Sequence, residues 1–322
     1  MQISPDIINS AENKEYTISR LNRENIKDVA KLYAAVYNVE VEENYFVSKY
    51  DALYTGIETI GVIAYDKNTQ PVAYYGVVPC FMQFENKIVL AAQSVDTMTH
   101  PQHRYKGLFH KLSNIAFDLC SSIGIKLIFG FPNQHSFHGL MQSGWKMSET
   151  MYCFRIPVNS LPLQSLSKKI FFFRKKYASY GDFIVKKDLL PCKGIPNSVV
   201  ADGFAGVHRS ENYLQYKAYN PTKVIQFGEA QIWVSIKQGL IIGDIAGANE
   251  NNFDAVIDQL KKMAKKLGIR QILFHCSPGT RLHTMFSAKY ESTPSFPVIF
   301  KDFESGIPLE KIKFTFSDID IF

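Results

Sequence analysis

Within this 322-residue chain, one short stretch has the residue types and spacing to hold a diphosphate: Arg104-Tyr105-Lys106-Gly107-Leu108-Phe109. It falls between an alternating segment that ends at Thr99 and a helical pattern that begins near Lys106. A strand that runs through a glycine-bearing loop into a helix aims several backbone N–H groups outward. The helix start adds about half a positive charge. Gly107 has no Cβ, so the backbone there can approach a pyrophosphate closely. Arg104 and Lys106 add positive charge. The alternative reading of the same residues is a plain strand–helix turn.

The elements that must position this loop are readable on both sides. Tyr16–Leu21 alternates as a first strand. Asn22–Tyr37 has helical spacing, with Asn22 or Asn25 as cap, and Val41–Tyr54 predicts a second helix. Ile57–Tyr65, Val72–Phe84 and Ile88–Thr99 form an antiparallel meander. From Lys106 to Ser122 the period becomes 3.6, and Gly124 closes that helix. Lys126–Phe131 is a buried strand, Ser136–Ser143 a short helix and Trp145–Pro157 a final strand.

The second part repeats this plan in outline. Asn212–Tyr219 is a short helix, and Lys223–Phe227, Gln231–Lys237 and Leu240–Ile245 are strands. Asn252–Leu267 is an amphipathic helix, followed by Gly268-Ile269-Arg270-Gln271-Ile272. The last run echoes Gly124-Ile125-Lys126-Leu127-Ile128, and the shared element order points to a duplication. The expected fold class is α/β (α+β), a mixed and mostly antiparallel sheet flanked by helices, duplicated. The expected domains are 1–157, a connector 158–205 and a second domain 206–322.

On Thr99-His100-Pro101-Gln102-His103-Arg104-Tyr105-Lys106-Gly107-Leu108-Phe109, with Asn133 and Gly144-Trp145 downstream, residues 16–156 resemble the GNAT acetyltransferase superfamily. Its signature is Q/R-x-x-G-x-G/A after a strand. The resemblance implies that the loop amides of Arg104, Tyr105, Lys106, Gly107, Leu108 and Phe109 hold the pyrophosphate of acetyl-CoA. It also implies that Thr97, Met98 and Thr99 bond the pantetheine arm, and that Asn133 belongs to the cofactor site. Two departures stand out. Phe109 replaces the small third motif residue, and Leu140 stands where the family often has an acid tyrosine. The duplicated plan resembles two-lobed GNAT proteins, and Asn249-Glu250-Asn251-Asn252 in place of a glycine loop implies that the second lobe does not bind CoA.

For the transfer, Asp96 is the candidate base on the strand entering the loop, or else a carboxylate bonded to nearby backbone amides. His138 and His135 follow Asn133 and can relay a proton, or be surface or packing histidines. Tyr152 is a substitute acid. The carboxylate of Phe322 is a further candidate, because a terminal carboxylate reaches the site in some multi-lobed GNAT enzymes. The acceptor implied is a small-molecule amine, such as an aminosugar or nucleotide-linked sugar. The competing functions are a CoA-binding module without turnover and an aminoacyl or long-chain acyl transferase.

Composition bounds these readings. The chain is 46% hydrophobic and 20% charged, ordinary for a folded chain of one large or two smaller domains. A net charge of +6 does not point to nucleic acid. Eight Lys/Arg against two Asp gather between Lys168 and Lys193, a solvated face or an attractor of phosphates or an anionic membrane. Ile170-Phe171-Phe172-Phe173, within that stretch, is an interfacial contact or a packing segment. The five cysteines have no C-x-x-C spacing, so free buried thiols are expected and no metal site. Met1–Glu15 has no apolar signal core, and no stretch reaches the ~20 apolar residues of a membrane span. A cytoplasmic location is the expectation.

Overall fold

The computed structural model describes residues 15–164, 171–236 and 239–322. The chain forms two compact units. Of the described residues, unit 1 comprises 15–82, 87–148 and 297–309, and unit 2 comprises 83–86, 149–164, 171–236, 239–296 and 310–322.

In unit 1 the strands β1 (Thr17–Arg20), β2 (Ile60–Tyr65), β3 (Pro71–Phe84), β4 (Lys87–Thr99) and β5 (Leu127–Gly130) lie side by side in sequence order. β1–β2 and β2–β3 are antiparallel, and β4–β5 is parallel. The parallel pair requires a crossover, which α3 (Leu108–Ser122) supplies. α3 buries Leu108, Leu112, Ala116, Phe117 and Cys120 at helical spacing against Tyr75, Val77 and Ala92 of the sheet. α1 (Ile26–Tyr37) and α2 (Glu43–Tyr50) precede β2, and α4 (Phe137–Gln142) follows β5. The sheet is completed by Ile299–Asp302 of β13 (Ser292–Asp302), antiparallel to β5.

Unit 2 repeats the plan. β9 (Lys223–Phe227), β10 (Ala230–Ser235) and β11 (Leu240–Ala246) form an antiparallel meander. α8 (Phe253–Lys266) crosses over to β12 (Gln271–Cys276), which runs parallel to β11. Its closing partner is β6 (Lys146–Pro157), paired antiparallel with β12 from Tyr152 to Pro157. Each sheet is therefore closed by a strand from elsewhere in the chain, and the mostly antiparallel mixed sheet and duplicated order are as expected.

Three sequence expectations need correction. Residues 158–205 are not a connector. They belong to unit 2 and contain α5 (Phe171–Val185), β7 (Leu189–Leu190) and α6 (Ser198–Ala201). Val185 is fully buried in the unit 2 core, and that burial sets the placement. The second-domain range 206–322 is interrupted, because 297–309 packs in unit 1. The helix expected over Val41–Tyr54 stops at Tyr50 and resumes as a short 3-10 turn at Leu53–Thr55. Ile170 and Lys237, in two of the predicted segments, and residues 1–14 lie outside the described residues.

Candidate functional site

The register of β4 with β5 runs from Ala91–Leu127 to Ser94–Gly130. β4 then continues to Thr99 after β5 has ended. At the parting point Asp96 takes φ +48. A left-handed residue inside a strand interrupts the pleat and re-aims the backbone beyond it. Thr97, Met98 and Thr99 therefore carry main-chain groups that β5 does not engage. Met98 is buried, so its backbone rather than its side chain is available.

Asp96 is held from α2. Phe46, Lys49 and Tyr50 form the buried face of that helix, at i, i+3 and i+4. The Lys49 Nζ lies 2.7 Å from Asp96 Oδ2, with the lysine side chain 1% and the aspartate 12% exposed. Tyr50 Oη donates to the same oxygen at 2.8 Å. Burial and the neighbouring Asp96 charge push the Tyr50 phenol well above its ordinary value, so it stays a donor. Gly76 makes room, since a Cβ there would collide with the Tyr50 hydroxyl. Asp96 is thus bonded to an ammonium and a phenol rather than to backbone amides, at the bend in β4. Sequence reasoning missed Lys49 and Tyr50, although a lysine on the apolar face of a predicted helix was the available signal.

Past Thr99, a short 3-10 turn spans Pro101–His103. Tyr105 and Gly107 then adopt φ +63 and +74. Two left-handed residues so close curl the backbone so that N–H groups converge. Tyr105 is fully exposed and a non-glycine in this region is strained, which is the kind of outlier that accompanies ligand loops. Gly107 is the N-cap of α3 and no side chain caps it. The first bond within the helix runs from Lys111 N–H to the Gly107 carbonyl at 3.1 Å. The amides of Leu108, Phe109 and His110 precede it and have no carbonyl in the helix to bond. A Cβ built on Gly107 would meet nothing within 4 Å. Open space, convergent amides and a helix start together fit a phosphate group.

The side chains of the loop sort differently. Arg104, exposed, reaches back to the Thr99 carbonyl through Nε at 3.4 Å. Lys106 is ion-paired with Glu15 at 2.9 Å. That pair raises the lysine's proton affinity and lowers the glutamate's. Leu108 is buried in the core. Phe109 packs inward on Tyr75 and against Gly139 of α4, where a Cβ would sit 3.0 Å from its ring. The large third motif residue therefore fills the core, leaving its amide at the helix start.

The remaining candidates are placed as follows. Asn133 caps the turn before α4, its Oδ1 accepting from the His135 and Ser136 amides at 2.9 and 3.1 Å. His135 is exposed. His138, on α4 and exposed, meets Gln142 through Nε2 at 2.9 Å. Leu140 is core. Tyr152, in unit 2, is half-buried edge-on to His283. Phe322 is 1% exposed in unit 2, its ring packed on Trp233 and over Gly243, and its carbonyl oxygen accepts from Asn220. Phe322 is thus an element of the unit 2 core.

The equivalent loop of unit 2 is closed by its own side chains. Asn249 Oδ1 accepts from the amides of Asn251 and Asn252, and Asn252 Oδ1 accepts from Asn249 N–H. A Cβ on Gly247, at φ +73, would strike the Glu229 carbonyl. The amides of Asn249, Asn251 and Asn252 at this second strand–helix corner are thus bonded to side chains within the loop. Among the described residues no group of three or more His, Cys, Asp or Glu is arranged to hold a metal.

Residues 17–147 match the family model for the acetyltransferase (GNAT) domain. That segment of the chain is similar to GNAT acetyltransferase domains. Among solved structures, a conserved protein of Enterococcus faecalis, described as a probable N-acyltransferase, superposes with a TM-score of 0.61 at 13% identity, covering 90% of this chain and 73% of that one. A GCN5-related N-acetyltransferase from Kribbella flavida gives 0.58 at 11% identity, over 89% and 71%. N-myristoyltransferase of Saccharomyces cerevisiae, solved with myristoyl-CoA, gives 0.54 at 11% identity, over 98% and 85%. At these identities the likeness is one of fold, and it extends through both units. No curated protein matches the chain by sequence.

Proposed function

We propose that unit 1 binds acetyl-CoA and transfers its acyl group to an amine, with an aminosugar or nucleotide-linked sugar as the acceptor class. The observation that carries this is the uncapped start of α3 beside the open Gly107, at the end of a strand that has left its parallel neighbour. Acyl-CoA supplies an activated thioester, whose acyl carbon an amine attacks as the C–S bond breaks and the thiol leaves. The chain's part is to hold the donor and to handle protons. The amides of Tyr105 to His110 bind the pyrophosphate oxygens, and Arg104 adds an exposed cation. The backbone of Thr97–Thr99 holds the pantetheine arm. His138, whose Nε2 is occupied by Gln142, relays a proton through Nδ1. A reducing cytoplasm is the compartment this reading takes, in line with five free cysteines.

Isothermal titration of acetyl-CoA against the wild type and Gly107→Trp tests the donor site. Binding lost in a variant that keeps its circular dichroism supports it, and a wild type that does not bind overturns it. Acyl-CoA esters from acetyl to myristoyl, each assayed for thiol release with a panel of aminosugars, then fix chain length and acceptor.

A further inference from the structure

α5 lies across the C-terminal end of α8. Tyr177 Oη donates to the Leu267 carbonyl at 2.7 Å and Tyr180 Oη to that of Lys266 at 2.8 Å. Ser160 Oγ donates to the Lys265 carbonyl at 3.1 Å, and Arg270 Nε donates to the Ser160 carbonyl at 3.3 Å. The last carbonyls of α8, which have no partner in the helix, are thereby satisfied. The inner side of α5 is filled by Val185 and Ile184 against the unit 2 core.

Its outer side is a different surface. Lys176, Tyr180 and Phe183, at i, i+4 and i+7, share the exposed stripe. Phe183 is 73% exposed, and Leu161, beside the same end of α8, is 74% exposed. Lys176 and Lys186 of the α5 stretch, and Lys265 and Lys266 at the end of α8, are all exposed. The acidic Asp182 of this helix is occupied by Lys223 at 2.9 Å. A phenylalanine presented to water amid lysines gains nothing there. At an anionic lipid surface both features are favourable, because Phe183 and Leu161 enter the boundary between headgroups and acyl chains while the ammonium groups meet lipid phosphates.

We propose that this end of unit 2 is a peripheral docking surface for anionic membranes. The mode is interfacial and needs no span, and no described helix is long and apolar enough to cross a bilayer. The full chain is to be sedimented with vesicles of phosphatidylglycerol mixed with phosphatidylcholine, and with vesicles of phosphatidylcholine alone. Binding is expected to the anionic vesicles only and to weaken in high salt. Lys176→Ala with Lys186→Ala should weaken it roughly thirtyfold, at the usual worth of a surface lysine near acidic lipid. Leu161→Ser with Phe183→Ser should weaken it at all salt concentrations. These four side chains are exposed, so the variants keep their fold, and circular dichroism verifies that. No sedimentation with anionic vesicles, equal binding by all variants, or retention by duplex DNA in place of vesicles would each overturn the proposal.

Discussion

Replacing Gly107 by alanine separates the strain of a backbone from the space that a ligand needs. At φ +74 an L side chain costs about 1 kcal/mol. The added methyl meets no protein atom within 4 Å, so no packing penalty adds to it. Gly124, at the other end of α3, is a matched control: φ is +88 and a Cβ there also meets nothing within 4 Å. Urea unfolding should therefore show both alanine variants destabilised by similar amounts, about 1 kcal/mol each. Acetyl-CoA titration should tell them apart. A hydrogen bond from an amide to a charged group contributes about 1.5–3 kcal/mol, so displacing one phosphate oxygen raises Kd between about tenfold and about 150-fold for Gly107→Ala. Gly124→Ala should bind as the wild type does. Equal weakening in both variants, or an unchanged Kd in Gly107→Ala, would refute the assignment of the loop as the pyrophosphate cradle.

Lys49→Met removes the cation that neutralises Asp96. The carboxylate is partly exposed, so the loss of stability should be about 2–3 kcal/mol, and Lys49→Met with Asp96→Leu should regain part of it. A single variant within about 0.5 kcal/mol of wild type would show the clamp to be unimportant. Cys192 is exposed, whereas Cys80, Cys120, Cys153 and Cys276 are buried, and burial pushes the Cys120 thiol up to about 12. A thiol reagent should titrate one cysteine quickly in the native protein and five in denaturant; a second fast native thiol contradicts the packing. Burial, with Arg155 nearby, lowers His275 to about 4. The unfolded chain binds a proton near 6.5 and the folded chain does not, so His275 lowers stability as pH falls from about 6.5 to about 4, by up to about 1.4 kcal/mol per pH unit. His275→Phe, between Phe296 and Phe316, should flatten that limb of a stability–pH curve, and an unchanged slope assigns it to other groups.

The local signals of this chain were legible wherever a period or a turn residue decided the outcome. The Lys106–Ser122 stripe and Gly124 gave α3 to within two residues, because one face of that helix buries against a sheet of known alternation. The loop from Arg104 to Phe109 could be read because a glycine between a strand and a helix has few structural uses. In unit 2 the asparagines of Asn249–Asn252 turn their side chains onto the loop's own amides. α5 was missed, since its buried side is only a few residues wide and its outer side mixes aromatics with lysines, which blurs the helical period.

Which carboxylate is free and which strand closes which sheet were decided by tertiary structure alone. Asp96 has the same side chain whether it is a base or an anchor. Only tertiary structure brings Lys49 and Tyr50, from a helix 46 residues earlier, onto that carboxylate. Phe322 is a site candidate in the sequence, but its ring is drawn into the core by Trp233 and Gly243. The strands β6 and β13 satisfy their hydrogen bonds on β12 and β5, far along the chain. Sequence fixes what each residue offers within about one turn of helix or one hairpin. Long-range pairing depends on which distant surfaces can bury each other, and no local period records that.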